Sequence, residues 1–213
     1  MTVVKVCGIT NEDDALCAVD AGADMLGFIF HRKSPRFISP QSVREIVQVV
    51  RSRDRQVVLV GVFVNEAAPA IHEIMESTGV DLAQLHGDEP LSMLETLAGR
   101  GYKAVRSMSD AQAYLLDPIH NTQRPMAPDL LLDADHPTLY GGSGLRADES
   151  IAVQLAGRCR LLLAGGLSPE NVSSAIAHVH PWGVDVSSGV ERMPGHKDHD
   201  KVHLFIQNAR RAV

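Results

Sequence analysis

Apolar runs of five to eight residues recur eight times along this 213-residue chain, and amphipathic stretches separate them. No hairpin signal joins consecutive runs, so the pattern predicts parallel strands connected by crossover helices. The last helix is predicted from about Lys201 to Ala212. The predicted strands are Val3–Cys7, Asp24–Phe30, Val57–Val64, Val80–His86, Tyr102–Arg106, Asp129–Asp133, Arg160–Ala164 and Gly183–Ser187.

Eight strand–helix units in succession predict an α/β fold, a single (β/α)8 TIM barrel with eight parallel strands and outer helices. No shift in composition marks a linker, so we expect residues 1–213 to form a single catalytic domain. Two long connections, His31–Ser39 and Ala134–Asp148, follow the C-termini of predicted strands. Such barrels build their active sites on that face.

The overall charge of the chain limits the kinds of partner that it can bind. A formal net charge of −6 argues against a nucleic-acid surface and against an anionic membrane surface. Three widely spaced cysteines cannot form a disulfide framework, and no stretch resembles a secretory signal or a spanning helix. We therefore expect a cytoplasmic protein, monomeric or homodimeric, whose ligand is a small molecule.

The first strand carries a lysine and a thiol on one face. Side chains alternate along a strand, so Val3, Lys5 and Cys7 share one side. A lysine on a buried strand needs a partner, and the first and eighth strands are neighbours in a closed barrel. Asp185 is accordingly predicted to pair with Lys5.

Other polar residues occupy interior positions near strand C-termini, where a buried carboxylate or imidazole is costly unless it is paired. Their number at one end of the barrel indicates a site rather than a core. Each also has a structural interpretation, because cysteine packs well in cores, a histidine can simply be hydrogen-bonded, and an aspartate can brace a loop. The residues are Cys7, Gln84, His86, Asp133, Asp185 and Ser187.

Two glycine-containing turns indicate a phosphate site. Gly165 and Gly166 follow the seventh strand, and Ser168 is predicted to cap the next helix. The turn Ser187-Ser188-Gly189 follows the eighth strand. Glycines let backbone N–H groups approach an anion, and the loops after strands seven and eight bind phosphate in many barrels.

Two further groups of residues are less specific. Arg36, after the second strand, is either solvated or available to bind a carboxylate through two N–H groups. The histidines between His178 and His203 do not have the spacing of a known ligand set, so no metal site is predicted there.

Several short motifs follow one another in order along nearly the whole chain. They are Lys5-Val6-Cys7-Gly8-Ile9-Thr10, Gly27-Phe28-Ile29-Phe30 with Ser34-Pro35-Arg36, Gly61-Val62-Phe63-Val64-Asn65, Gln84-Leu85-His86-Gly87, Leu131-Leu132-Asp133, Leu163-Ala164-Gly165-Gly166-Leu167, Gly183 to Glu191, and Gly195-His196-Lys197-Asp198. No single motif is decisive, but together they are specific, and they resemble the phosphoribosylanthranilate isomerase family of tryptophan biosynthesis.

The resemblance implies a cofactor-independent aldose–ketose isomerase that converts N-(5-phosphoribosyl)anthranilate by an Amadori rearrangement. It implies Asp133 as the general acid, Cys7 as the general base and Arg36 as the ligand of the anthranilate carboxylate. Asp185 would accept from the amine, and His86 would line the aminosugar. The phosphate would bind at Gly165, Gly166, Ser187, Ser188 and Gly189.

One segment departs from the family pattern, and two other functions remain open. Leu145–Glu149 stands where the family usually has aromatic and acidic residues, which leaves the anthranilate-side contacts undecided. A related sugar isomerase of histidine biosynthesis would need a second phosphate loop, and none is evident around Asn65–Ala68. A barrel that binds phosphate ligands without turnover is the other alternative.

Overall fold

The computed structural model describes residues 1–54, 56–106, 110, 126–133 and 147–212, with the backbone alone for 147–151. Most of the predicted loop Ala134–Asp148 lies outside these ranges, and so do the side chains of Leu145–Glu149.

Eight parallel strands form a closed barrel in sequence order, with β1 hydrogen-bonded to both β2 and β8. This confirms the predicted fold class, and every predicted strand is present within two residues of its predicted ends. The strands are β1 Val3–Cys7, β2 Met25–Ile29, β3 Val58–Phe63, β4 Leu82–Leu85, β5 Gly101–Val105, β6 Leu130–Asp133, β7 Leu161–Ala164 and β8 Gly183–Val186.

Helices follow the strands, and their first turns show why they begin where they do. Side chains of Asn11, Ser39 and Asp198 each accept from a backbone N–H of the first turn, which satisfies a donor that the helix leaves unpaired. The described helices are α1 Glu12–Asp20, α2 Pro40–Arg53, α3 Ala68–Thr78, α4 Met93–Thr96, α5 Ala147–Ala156, α6 Val172–Val179 and α7 His199–Arg211.

Alternation along the strands divides the core into two clusters. Val4 and Val6 pack outward against the helices, whereas Val3 packs inward with Met25 and Tyr102. The inner cluster fills the barrel. Polar side chains that also point to the barrel interior must therefore find hydrogen-bond partners there. Within the described part of the chain, no helix is long and apolar enough to cross a membrane.

One local prediction is wrong in its position. Ser168 is not the N-cap residue of α6, which begins only at Val172, after Asn171; the Ser168 Oγ accepts from the Glu170 N–H at 3.3 Å in the turn ahead of the helix. The Asn171 side chain accepts from the Ser168 N–H and donates to the Gly166 carbonyl, and this closes a turn ahead of the helix. The pattern of apolar runs does not predict the short hairpin that lies in the connection after β8.

That connection contains a small antiparallel hairpin made of β9, Glu191–Met193, and β10, His196–Lys197. Between the two strands, Gly195 has φ +82, a conformation that suits glycine. A short 3-10 helix, Ser188–Val190, leads into the hairpin from β8. The hairpin therefore extends from the face on which the strands end.

Candidate active site

Lys5 lies opposite Asp185 in the register of β1 and β8, and the predicted pair is confirmed. The Lys5 ammonium is fully buried and lies 3.0 Å from Asp185 Oδ1 and 3.0 Å from Gln84 Oε1. Burial alone would lower the pKa of Lys5, yet the facing carboxylate of Asp185 raises it above its ordinary value. Lys5 thus stays charged at the centre of the barrel.

Gln84 connects this charge to His86. Its Oε1 accepts from Lys5 and, at 2.8 Å, from the Tyr102 hydroxyl, and an ammonium can only donate. The amide nitrogen is therefore the atom 2.8 Å from His86 Nδ1, and it donates to that ring nitrogen. In a neutral imidazole the ring proton must then lie on Nε2, which is 3.2 Å from Asp133 Oδ2.

Cys7 ends β1 and is buried, and Gly27 on the neighbouring strand leaves room for its sulfur. A Cβ atom at Gly27 would lie 2.6 Å from Cys7 Sγ, closer than real contacts allow. Burial raises the pKa of Cys7 above its ordinary value, while the positive charges of Lys5 and Lys197 act in the opposite direction. The thiol is thus enclosed but has two ammonium groups near it.

Arg36 is bound side-on by a carboxylate of the hairpin. Its Nε and Nη2 atoms donate to Glu191 at 2.8 and 2.6 Å. Lys197 is also buried, and its ammonium lies 3.0 Å from Glu191 Oε1 and 2.6 Å from the Cys7 carbonyl oxygen. Glu191 and Lys197 of the hairpin therefore connect the Arg36 side chain to the end of β1 through hydrogen bonds.

The predicted phosphate loops lie against each other. A Cβ atom at Gly189 would lie 1.9 Å from the Leu167 carbonyl oxygen, so only glycine permits this approach. Gly165 and Gly166 have φ values of +91 and +62, which leave their N–H groups outside regular structure. The loops after β7 and β8 are therefore in direct contact and form one surface.

Ser187 contributes a hydroxyl group to the surface that these two loops form. Among the residues whose side chains the structure describes, its Oγ is the buried polar atom for which no hydrogen-bond partner is present. A Cβ at Gly8 would lie 2.9 Å from that Oγ and 2.7 Å from Arg36 Cδ, so the hydroxyl and the arginine stem adjoin the same glycine. A buried hydroxyl without a partner is costly, which favours a ligand contact for it.

The structure thus links Asp185, His86 and Asp133 through Lys5 and Gln84, and places Arg36 beside Gly8 and Ser187. Sequence reasoning missed Glu191 and Lys197 as functional candidates, although both lie in motifs that carry the family resemblance.

The histidines near the C-terminus have other contacts. His199 lies 2.9 Å from Asp14, and His203 lies 4.0 Å from Cys17. Throughout the described ranges, no three His, Cys, Asp or Glu side chains form a group that could hold a metal ion.

Comparison with known proteins decides the family. A family model described as N-(5'-phosphoribosyl)anthranilate (PRA) isomerase matches residues 4–208. The chain belongs to the PRA isomerase family. A curated PRA isomerase of Trichlorobacter lovleyi is 44% identical over 214 residues, covering 100% of each chain.

Solved structures of PRA isomerases agree closely with this fold. The crystal structure of the Thermotoga maritima phosphoribosyl anthranilate isomerase has a TM-score of 0.82 and 44% identity, covering 99% of each chain. A PRA isomerase crystallised with reduced 1-(o-carboxyphenylamino)-1-deoxyribulose 5-phosphate has a TM-score of 0.81 and 41% identity, again over 99% of each chain.

Proposed function

We propose that this protein converts N-(5-phosphoribosyl)anthranilate to 1-(2-carboxyphenylamino)-1-deoxyribulose 5-phosphate, an Amadori rearrangement, in tryptophan biosynthesis. The observation that carries the proposal is that β1, β4, β6 and β8 bring a thiol, an imidazole and two carboxylates to one end of the barrel, in a member of the PRA isomerase family. A relative crystallised with the reduced product supports the same ligand chemistry.

Ring opening is the first step. The amine nitrogen pushes its lone pair toward C1 and the bond between C1 and the ring oxygen breaks, so that oxygen must gain a proton. Asp133 is the proposed donor of this proton as general acid. His86 Nε2 lies 3.2 Å from Asp133 Oδ2, so the other carboxyl oxygen is the one proposed to protonate the sugar.

Proton removal from C2 of the resulting Schiff base is the second step. The Cys7 thiolate is the proposed base. Transfer of the C2 proton to its sulfur gives an enolamine. The enol hydroxyl then loses its proton while C1 gains one, which completes the aminoketose with no net change in protons. Burial raises the pKa of Cys7 above its ordinary value, and the positive charges of Lys5 and Lys197 oppose that rise in favour of the thiolate.

Binding contacts follow from groups that retain hydrogen-bonding capacity. Asp185 uses Oδ1 for Lys5, and no residue in the described ranges donates to Oδ2, which is the atom proposed to accept from the amine N–H. Arg36 would bind the anthranilate carboxylate. The phosphate would bind Ser187 and the backbone N–H groups of Gly165, Gly166, Ser188 and Gly189, which lets a net-negative protein hold an anion through oriented amides.

Turnover and binding assays test the proposal together. Anthranilates fluoresce, so loss of substrate fluorescence on addition of the protein, with the ketose phosphate identified by mass spectrometry, is the expected result. Calorimetry with the reduced product would detect a protein that binds without turnover. No conversion by the folded protein would contradict the proposal, and the phosphoribosyl aminoimidazole substrate of histidine biosynthesis would then be assayed.

A further inference from the structure

Arg36 is held in a way that leaves one particular edge of its guanidinium group for a ligand. A guanidinium carries five N–H bonds, and Glu191 takes the Nε–H and one Nη2–H at 2.8 and 2.6 Å. No residue in the described ranges accepts from the second Nη2–H or from either Nη1–H. These define the end-on edge, whose parallel N–H bonds match the two oxygens of a carboxylate.

Glu191 is itself fixed in position. Its side chain is 4% exposed and accepts from the Lys197 ammonium at 3.0 Å and from the Gly195 N–H at 3.3 Å. Lys197 also donates to the carbonyl oxygens of Cys7 and Ser187, at 2.6 and 3.2 Å. The carboxylate that orients Arg36 is therefore joined to the end of β1 and to the turn after β8.

The charges of this cluster favour an anion despite the carboxylate within it. Glu191 carries one negative charge, and Lys197 and Arg36 carry two positive charges between them. Lys197 offsets the charge of Glu191, so the charge of Arg36 remains for the ligand. Without Lys197, a carboxylate this close to a bound carboxylate would oppose binding.

We infer that Glu191 is a positioning residue that acts through Arg36 and makes the site selective for aryl amines that carry a carboxylate on the ring. The inference rests on the proposed function, because it assigns Arg36 to the carboxylate of that substrate. The Glu191 oxygens already accept from Arg36, Lys197 and the Gly195 N–H, so the proposal gives Glu191 no direct contact with the substrate. Its effect is confined to the orientation and charge of Arg36.

The test is the affinity of Glu191→Gln for two reduced ketose phosphates, measured by calorimetry. One is the reduced product, 1-(2-carboxyphenylamino)-1-deoxyribulose 5-phosphate, and the other is its phenylamino counterpart without the carboxylate. We expect the Kd of the first to rise by about tenfold or more, the size of a lost charge-assisted hydrogen bond, and that of the second to change by less than about threefold. Equal changes for both, or a retained preference, would overturn the inference.

A second set of variants separates positioning from general structural support. In an Arg36→Met background the preference for the carboxylate should be absent, and adding Glu191→Gln should change neither Kd. A further loss in that background would overturn the inference. If Glu191→Gln does not fold, Glu191→Asp keeps a counter-charge for Lys197 while withdrawing the carboxylate from Arg36, and the same selective loss is expected.

The chain offers a matched control at the opposite end of the barrel. Asp129 is a buried carboxylate whose oxygens accept from Arg160 Nη2 at 2.7 Å and Nε at 3.3 Å, ahead of β6 and β7. Asp129→Asn should leave the ratio of the two Kd values unchanged. Wild-type turnover is measured in parallel, because its absence would contradict the proposed function, whereas turnover with an unselective effect of Glu191→Gln would contradict this inference alone.

Discussion

The Nε2 atom of His86 lies 3.2 Å from Asp133 Oδ2, where β4 and β6 end. The position of the ring proton is set inside the barrel, since Gln84 donates to the other ring nitrogen. The Lys5 ammonium can only donate, so the Gln84 oxygen faces Lys5 and the Gln84 nitrogen faces His86. Lys5 therefore determines which ring nitrogen of His86 carries the proton. Two hydrogen bonds in series connect the buried charge to His86, whose Nε2 atom lies 3.2 Å from the proposed acid.

Reversing the donor at Gln84 should reverse the tautomer of His86. In the wild type we expect the ring ¹⁵N shifts of His86 to show a protonated Nε2 and an unprotonated Nδ1. Gln84→Glu replaces the donating amide with a carboxylate, so Nδ1 should gain a proton. Tyr102→Phe, which keeps the bond between Lys5 and Gln84, is the control and should behave as wild type. A protonated Nδ1 in the neutral wild-type ring would contradict the assignment.

Removal of one partner of the Lys5–Asp185 pair should lower the unfolding free energy more than removal of both. Lys5→Met leaves Asp185 without its cation, and loss of one partner of a buried pair costs about 3–5 kcal/mol of unfolding free energy. Adding Asp185→Asn removes the orphaned charge and should restore at least about 1 kcal/mol. Urea unfolding of the three proteins measures both effects. Equal stability of wild type and Lys5→Met would mean that the pair contributes little.

Strand positions and the Lys5–Asp185 pair could be predicted because both follow from local rules. Apolar runs locate the strands, and side-chain alternation with barrel closure places residues 5 and 185 side by side. The link from Gln84 to His86 was only partly predictable. The two residues lie two positions apart in the predicted strand and so share a face, but the direction of their hydrogen bond depends on Lys5 and Tyr102 from other strands.

Other features depend on contacts that no local pattern encodes. Ser168 precedes a proline and resembles a cap, yet Asn171 closes the turn instead, so the helix begins later than predicted. Glu191 and Lys197 are ordinary charged residues in the sequence. Their burial depends on a hairpin that packs over β1, with partners 155 and 190 positions away along the chain.

Glu89 should make stability fall at acid pH. It accepts from Lys103 at 2.7 Å and from the Asn65 and Gly87 N–H groups at 2.6 and 2.9 Å. Burial alone would raise the pKa of Glu89, but these donors hold it below its ordinary value of 4.5. Because the folded pKa is the lower one, the stabilisation is complete above pH 4.5 and is lost as pH falls through the folded value.

Glu89→Gln should therefore flatten the acid limb of the stability curve. We expect the unfolding free energy to fall at pH 7, and its decline below pH 4.5 to be shallower than in the wild type. Lys103→Met should flatten the same limb, since it removes the partner that lowers the pKa. Urea titrations from pH 3 to pH 7 provide the measurement. A Glu89→Gln protein with the wild-type slope would contradict this origin of acid sensitivity.

Ser187→Ala should separate stability from phosphate binding. The buried hydroxyl has no hydrogen-bond partner among the described residues, so its removal should leave the unfolding free energy unchanged or raise it by up to about 1 kcal/mol. Affinity for inorganic phosphate should fall at the same time. Gly157→Ala, where a Cβ makes only ordinary contacts at 3.7 Å, is the control for binding. Unchanged phosphate affinity in Ser187→Ala would remove this hydroxyl from the proposed site.

The rate of fluorescence loss from N-(5-phosphoribosyl)anthranilate tests the central claim most directly when wild type, Cys7→Ser and Asp133→Asn are compared. Each variant is first shown to be folded and to bind the reduced product. We expect both substitutions to lower kcat by at least about a hundredfold, because each removes a proton-transfer group. A variant that keeps a rate within about tenfold of wild type would contradict the acid–base assignment.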